Sequence, residues 1–263
     1  MRVLWIGGNH RRHLAFINEV GRSHALSGAI VQTREEMVPA PPEGLGDLDR
    51  GNFVRHFENR YRAERRYFGK QRPCDCPTLE TDVANLSGAK SVAFVEKIRP
   101  DVVLVYGCGM IREPLFSALP RNTINLHLGL SPRYRGAATL FWPFYFMEPA
   151  YAGSTFHHIV AEPDAGDVIH QVVPELEPSD GIHDVSCKTV LASAREAVRL
   201  LDIIEKDGRW QAHAQKSTGK NFLARDFAPQ HLRVIYNVFN DDMVKHYLRG
   251  DLESRRPNLV RQY

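Results

Sequence analysis

Hydrophobic and polar positions alternate with two different periods along this chain. Residues 2–6, RVLWI, form a short apolar run closed by Gly7 and Gly8, a helix-compatible segment follows through Phe16 to Val20, and Ala29, Ile30 and Val31 make a second apolar run. This pattern predicts strand, helix, strand. The segment PAPPEGLGDLDRG, from Pro39 to Gly51, is rich in proline, glycine and acid and reads as an exposed loop. After it, NFVRHFENRYRAERRYF places Phe53, Phe57 and Tyr61 at four-residue spacing, which predicts a helix with one buried aromatic stripe and arginines around it that form a solvated face or contact a phosphorylated substrate.

A helix over SGAKSVAFVEKIRP, stopped by Pro100, leads into DVVLVYG, whose unbroken branched apolar run suits a central strand buried on both faces. The sequence TINLHLG reads as a further strand. Such alternation argues for an α/β fold with a doubly wound, mostly parallel sheet, Rossmann-like, whose ligands sit beyond the carboxyl ends of the strands. A helical segment is expected at TLFWPFYF and two strands at GSTFHHIVA and DVIHQVVPE, joined through EPDAG. From Asp184 to Glu205, Cys187, Val190, Leu191, Ala194, Val198, Leu201 and Ile204 recur at helical spacing, and Gly208 closes the helix. Residues 1–207 read as a catalytic domain. Residues 208–263 read as a small C-terminal extension, a lid or a dimer contact, with a helix near HLRVIYNVF.

Composition narrows the class. The chain has 263 residues, 43% hydrophobic and 25% charged, with a formal net charge of +3, the make-up of a globular domain and not of a polycation for nucleic acid. No apolar stretch approaches the roughly 20 residues of a membrane span. The first residues lack the features of a secretion signal, so a cytoplasmic location is expected, which four cysteines suit. Cys74 and Cys76 lack a second pair at metal-binding spacing, and His157 and His158, adjacent on a strand, face opposite sides; no metal is expected. The pattern G-x-G-x-x-G is missing after the first strand, which removes the main support for a nicotinamide enzyme.

The chemistry centres on TINLHLG. Asn125 and His127, two apart on a strand, point to the same side at its carboxyl end. The turn GLSPRYRG follows, and Asp164 lies later in EPDAGDVI, on a glycine-containing loop before a strand. The string INLHLGLSPRYRGAATLFWP to EPDAGDVIH resembles the signature of the folate-dependent formyltransferases, which include the glycinamide ribonucleotide, methionyl-tRNA and amino-sugar enzymes. The resemblance is strong over about residues 90 to 175 and implies the formyltransferase fold.

By that resemblance Asn125, His127 and Asp164 match the catalytic trio. Attack of a neutral amine on an N-formyl carbonyl develops negative charge on oxygen, which the Asn125 amide can stabilise as a neutral donor. An imidazole at His127 can take the proton of the amine or, protonated, support the oxyanion, and Asp164 would raise its pKa and fix its tautomer. The resemblance also implies 10-formyltetrahydrofolate as co-substrate, bound at Gly109, Met110 and Ile111 with Gly129, Leu130, Ser131 and Pro132 opposite.

Departures from the pattern point to a branch. Leu128, Gly129, Leu130 and Ser131 stand before Pro132 where many relatives have Pro-Ser-Leu-Leu, which weakens a match to the purine-pathway enzyme and looks more like the amino-sugar branch. The residues after Gly208 are too few for the RNA-binding barrel of the methionyl-tRNA enzymes. The acceptor expected is therefore the amine of a nucleotide-linked amino sugar for surface polysaccharide such as O-antigen, with Arg12, Arg133 and Arg135 as groups that could meet a diphosphate, and with a homodimer as the assembly. The alternatives are the same transfer to glycinamide ribonucleotide or hydroxyornithine, a folate-binding sensor without catalysis, and a hydrolase that releases formate.

Overall fold

The computed structural model describes residues 1–215, 219–253 and 255–263. In chain order it contains β1 (Val3–Gly8), α1 (Arg11–Gly21), β2 (Leu26–Gln32), α2 (Asp47–Phe68), β3 (Thr78–Thr81), α3 (Ala89–Ile98), β4 (Val102–Tyr106), α4 (Leu115–Ala118) and β5 (Thr123–His127). There follow β6 (Tyr134–Gly136), α5 (Trp142–Tyr145), β7 (Ser154–His158), β8 (Val168–Val172), α6 (Ile182–Asp207), β9 (Lys220–Phe222) and α7 (Met243–Arg249). The main sheet has seven strands in the order β3-β2-β1-β4-β5-β7-β8. The first five are parallel, and β7 runs against both β5 and β8.

Helices cover both faces, which explains the unbroken apolar runs of β1 and β4. Leu4, Ile6, Val103 and Val105 pack on one side with Val95 and Leu115 of α3 and α4. Trp5, Leu104 and Tyr106 pack on the other with α1 and α6. Strand alternation distributes these side chains, so each run supplies two cores. The sheet order reverses direction of growth between β1 and β4, and the functional loops gather beyond the carboxyl ends near that reversal.

Local differences from the sequence pattern have physical causes. Helix α2 starts at Asp47, inside the expected loop; Asp47 and Asp49 in its first turn suit the positive end of the helix dipole. Its buried face runs through Asn52, Phe53, His56, Ala63, Glu64 and Phe68, while Phe57 and Tyr61 are half-buried. Half of the residues named on that stripe are thus polar, and two of them, His56 and Glu64, line a cavity. Only Trp142–Tyr145 of TLFWPFYF is helical, and HLRVIYNVF yields a wide turn of π-helix at Val234–Val238 in place of a regular helix.

Residues beyond Gly208 are tied into the core. Gly208 ends α6 with φ 71°, a conformation glycine adopts without Cβ strain. His213 then bridges Val168 of β8, β9 pairs in parallel with β6, and Val260 exchanges backbone and side-chain hydrogen bonds with Gln171. No described helix is long and apolar enough to cross a membrane.

Candidate active site

Strand pairing assembles the site. Antiparallel register sets Asn125 of β5 opposite His157 of β7, and His127 opposite Thr155. Directly paired residues share a face of the sheet, so Asn125, His127 and His157 project together at the carboxyl end of β5. The β7–β8 loop brings Asp164 over them. Its carboxylate lies 3.3 Å from His127 Nδ1 and 3.4 Å from His157 Nε2, and it accepts a hydrogen bond from the Gly136 N–H at 3.1 Å.

The loop geometry requires its residues. Asp164 has φ 51°, a left-handed conformation that aspartate tolerates better than most side chains. A Cβ on Gly166 would fall 1.7 Å from the His158 carbonyl oxygen, so the loop closes only with glycine there. Gln215, from the extension, donates through Nε2 to the carbonyls of Asp164 and Gly166 at 2.8 and 2.7 Å. The aspartate is therefore held from three elements.

Hydrogen bonding assigns the protons. His127 Nε2 lies 2.9 Å from the Tyr134 carbonyl, so that nitrogen carries hydrogen and the Nδ1 lone pair faces Asp164. Burial pushes the His127 pKa below its ordinary value, opposed by the Asp164 charge. Burial also acts to raise the Asp164 pKa, but the two histidines and the Gly136 N–H outweigh it and hold the carboxyl down at about 2. The resting pair is thus a neutral imidazole beside a carboxylate. His157 Nδ1 donates to the His158 carbonyl at 2.9 Å, leaving Nε2 to accept from Asn125 Nδ2 at 3.1 Å. This fixes which end of the Asn125 amide faces the cluster and leaves its second N–H for a ligand.

A cavity of ≈ 220 Å³ opens on this cluster, lined by Asn125, His157 and Asp164 together with Gly109, Met110 and Ile111. The structure thus brings the loop after β4 to Asn125 and Asp164, with His127 buried beside Asp164. Gly129, Leu130, Ser131 and Pro132 are not in that lining: Leu130 and Ser131 are buried, and Ser131 is bonded through its N–H to Thr155 and through its carbonyl to Gln171. Through these bonds the turn is fastened to β7 and β8. The Gly109 N–H is likewise taken, by Gln32 Oε1 at 2.7 Å. The three arginines considered for a diphosphate each meet a carboxylate: Arg12 with Glu64, Arg133 with Glu148 and Arg135 with Glu162.

His157 is the site residue that sequence reasoning passed over. Adjacent His157 and His158 were weighed only as metal ligands, and the pairing with Asn125 needs the antiparallel register. Among the described residues no group of three His, Cys, Asp or Glu side chains is placed to hold a metal ion.

Residues 69–198, which carry the whole cluster, match the family model described as formyl transferase. This segment belongs to the formyl transferase family. A methionyl-tRNA formyltransferase from Leifsonia xyli is 46% identical over 57 residues, which cover 21% of this chain and 18% of that protein. The match thus spans under a fifth of that relative's length. Among solved structures, the phosphoribosylglycinamide formyltransferase of Anaplasma phagocytophilum superposes with a TM-score of 0.56 at 17% identity, covering 84% of this chain and 98% of that one. A formyltransferase from Anoxybacillus kamchatkensis, solved with a UDP-linked 4-formamido sugar and tetrahydrofolate, gives 0.52 at 15% identity, covering 93% and 97%. These likenesses show the formyltransferase fold.

Proposed function

We propose that this protein transfers the formyl group of 10-formyltetrahydrofolate to the amine of a nucleotide-linked amino sugar. The observation that carries the reading is the convergence of Asn125, His157 and Asp164 on one cavity with the 109–111 loop, with His127 buried against Asp164. The donor set suits acyl transfer: a neutral amide donor, a neutral base and a carboxylate that is not itself protonated at neutral pH. Apolar Val105, Met110, Ile111 and Ile159 in the lining suit the flat face of a pterin. The folate, when bound, supplies the formyl carbon.

The chain's residues then divide the work. The free N–H of Asn125 meets the negative charge that develops on the formyl oxygen; losing such a donor typically costs about 2.7–4 kcal/mol in the barrier. His127 accepts the proton of the attacking amine at Nδ1, where Asp164 stabilises the imidazolium that results, and would return that proton to the donor nitrogen whose bond to the formyl carbon breaks as the new amide bond forms. His157 holds the Asn125 amide in its donating orientation. The sugar acceptor draws support from the fold neighbour solved with a formamido sugar nucleotide over nearly its full length.

The test is mass spectrometry on purified protein given 10-formyltetrahydrofolate and a panel of nucleotide-linked amino sugars, glycinamide ribonucleotide and hydroxyornithine. A gain of one formyl group on a sugar nucleotide is the expected result. Formyl transfer to another amine overturns the acceptor, and folate binding with no product overturns the enzyme.

A further inference from the structure

A second cavity, of ≈ 350 Å³, lies between α2, α6 and the turn around Thr139. Its walls are largely apolar, with Phe57, Phe141 and Phe227 among them. Yet three of its residues each keep one buried polar atom without a partner: Glu64 Oε2, Arg60 Nε and His183 Nε2. Each of the first two side chains is anchored by another atom, since Glu64 Oε1 accepts from Arg12 at 2.6 Å and Arg60 Nη2 donates to the Met37 carbonyl at 2.6 Å. A buried polar group left unpaired loses its hydration with nothing in return. Three of them around one cavity describe a place built for a ligand that completes them.

The chemistry of that ligand follows from the atoms. A carboxylate oxygen accepts, a guanidinium N–H donates, and a neutral imidazole nitrogen does one or the other. Burial drives His183 well below its ordinary pKa, so its ring is neutral. Hydroxyls, which both donate and accept, match this set, and aromatic walls suit the C–H faces of a saturated ring. A phosphate does not match, because it would meet the Glu64 carboxylate while Arg12 is already committed to that residue.

The cavity also lies beside the reaction centre. Leu128 and Thr139 line it, and a Cβ placed on Gly129 would lie 2.6 Å from His127 Nε2 and 2.7 Å from Thr139 Cβ, so the two side chains are neighbours across that glycine. Resting on the transfer reading above, we propose that this cavity holds the sugar ring of the acceptor, its hydroxyls on Glu64, Arg60 and His183, with the phosphates outside.

The test is calorimetric titration of the full chain with dTDP-3-aminofucose, with dTDP alone and with folinic acid. Glu64→Gln removes the charged acceptor. Ser186→Trp fills the cavity from α6 without touching the buried ion pair, and so guards against a variant that merely unfolds. Each is expected to weaken the sugar nucleotide by about tenfold or more, the first through one lost hydrogen bond to a charged group and the second by occupying the space, and to leave folinic acid unchanged. Wild-type affinity for the sugar nucleotide in Ser186→Trp overturns the proposal, as does a wild-type protein that binds the sugar nucleotide no better than dTDP. The expected binding pattern without formyl transfer upholds the sugar subsite and defeats the transfer reading alone.

Discussion

The two cavities near β5 solve the problem of buried polarity in opposite ways. At the smaller one, Asn125, His157 and Asp164 on its wall and His127 buried beside Asp164 pair among themselves and with backbone, so that the cluster is nearly complete before any ligand arrives. The larger one leaves Glu64, Arg60 and His183 each with an orphaned atom in apolar surroundings. Completed polarity fixes geometry and suits a place where charge develops during reaction. Incomplete polarity suits a place where a ligand brings the missing partners. The contrast separates chemistry from recognition in one active-site region.

The sharpest way to break it is to remove the base pair. His127→Ala or Asp164→Ala is expected to lower the turnover of formyl transfer by about 10²–10⁴-fold with folding intact by circular dichroism, and near-normal turnover in either would defeat the assignment. Next in size, Asn125→Ala should cost about 10²–10³-fold in kcat with little change in KM for the amine, measured by steady-state kinetics, since its donor acts as charge develops. His157→Ala should cost less, about tenfold, because it removes one hydrogen bond that orients Asn125 and leaves the donor itself. A loss as large as that of Asn125→Ala would assign His157 a direct role.

The smallest expected effect sharpens the other side. His56, in the larger cavity, is pushed down to about 3 by burial, aided by the Arg60 charge. Its folded pKa lies below the unfolded value near 6.5, so between those values the unfolded chain binds more protons and stability rises with pH. Thermal unfolding should therefore show Tm falling as pH drops below about 6.5, and His56→Phe should flatten that slope. An unchanged slope in the variant would show that other groups govern the acid limb.

Sequence pattern made much of this legible. The alternation of apolar runs announced the parallel sheet, and Asn125, His127 and Asp164 stood out through the family resemblance of the strings that hold them, since Asn-x-His at a strand end says little alone. What stayed hidden depends on tertiary pairing. His157 gains its meaning only when β7 runs antiparallel to β5 in the register that sets it opposite Asn125. Leu130 and Ser131, beside the motif, are buried for the support of β7, a distinction that proximity in sequence does not carry. The inward face of α2 misled for a related reason: an aromatic spacing suggested an apolar stripe, whereas Glu64 and His56 point the polar part of that helix inward.

The amide of Gln215 gives the trio an unexpected dependency. It grips the carbonyls of Asp164 and Gly166 from 51 and 49 residues away along the chain. A graft of the family segment alone into another scaffold would transplant every reactive atom and lose the hand that aims one of them. Portability, for this centre, ends where its motif does not.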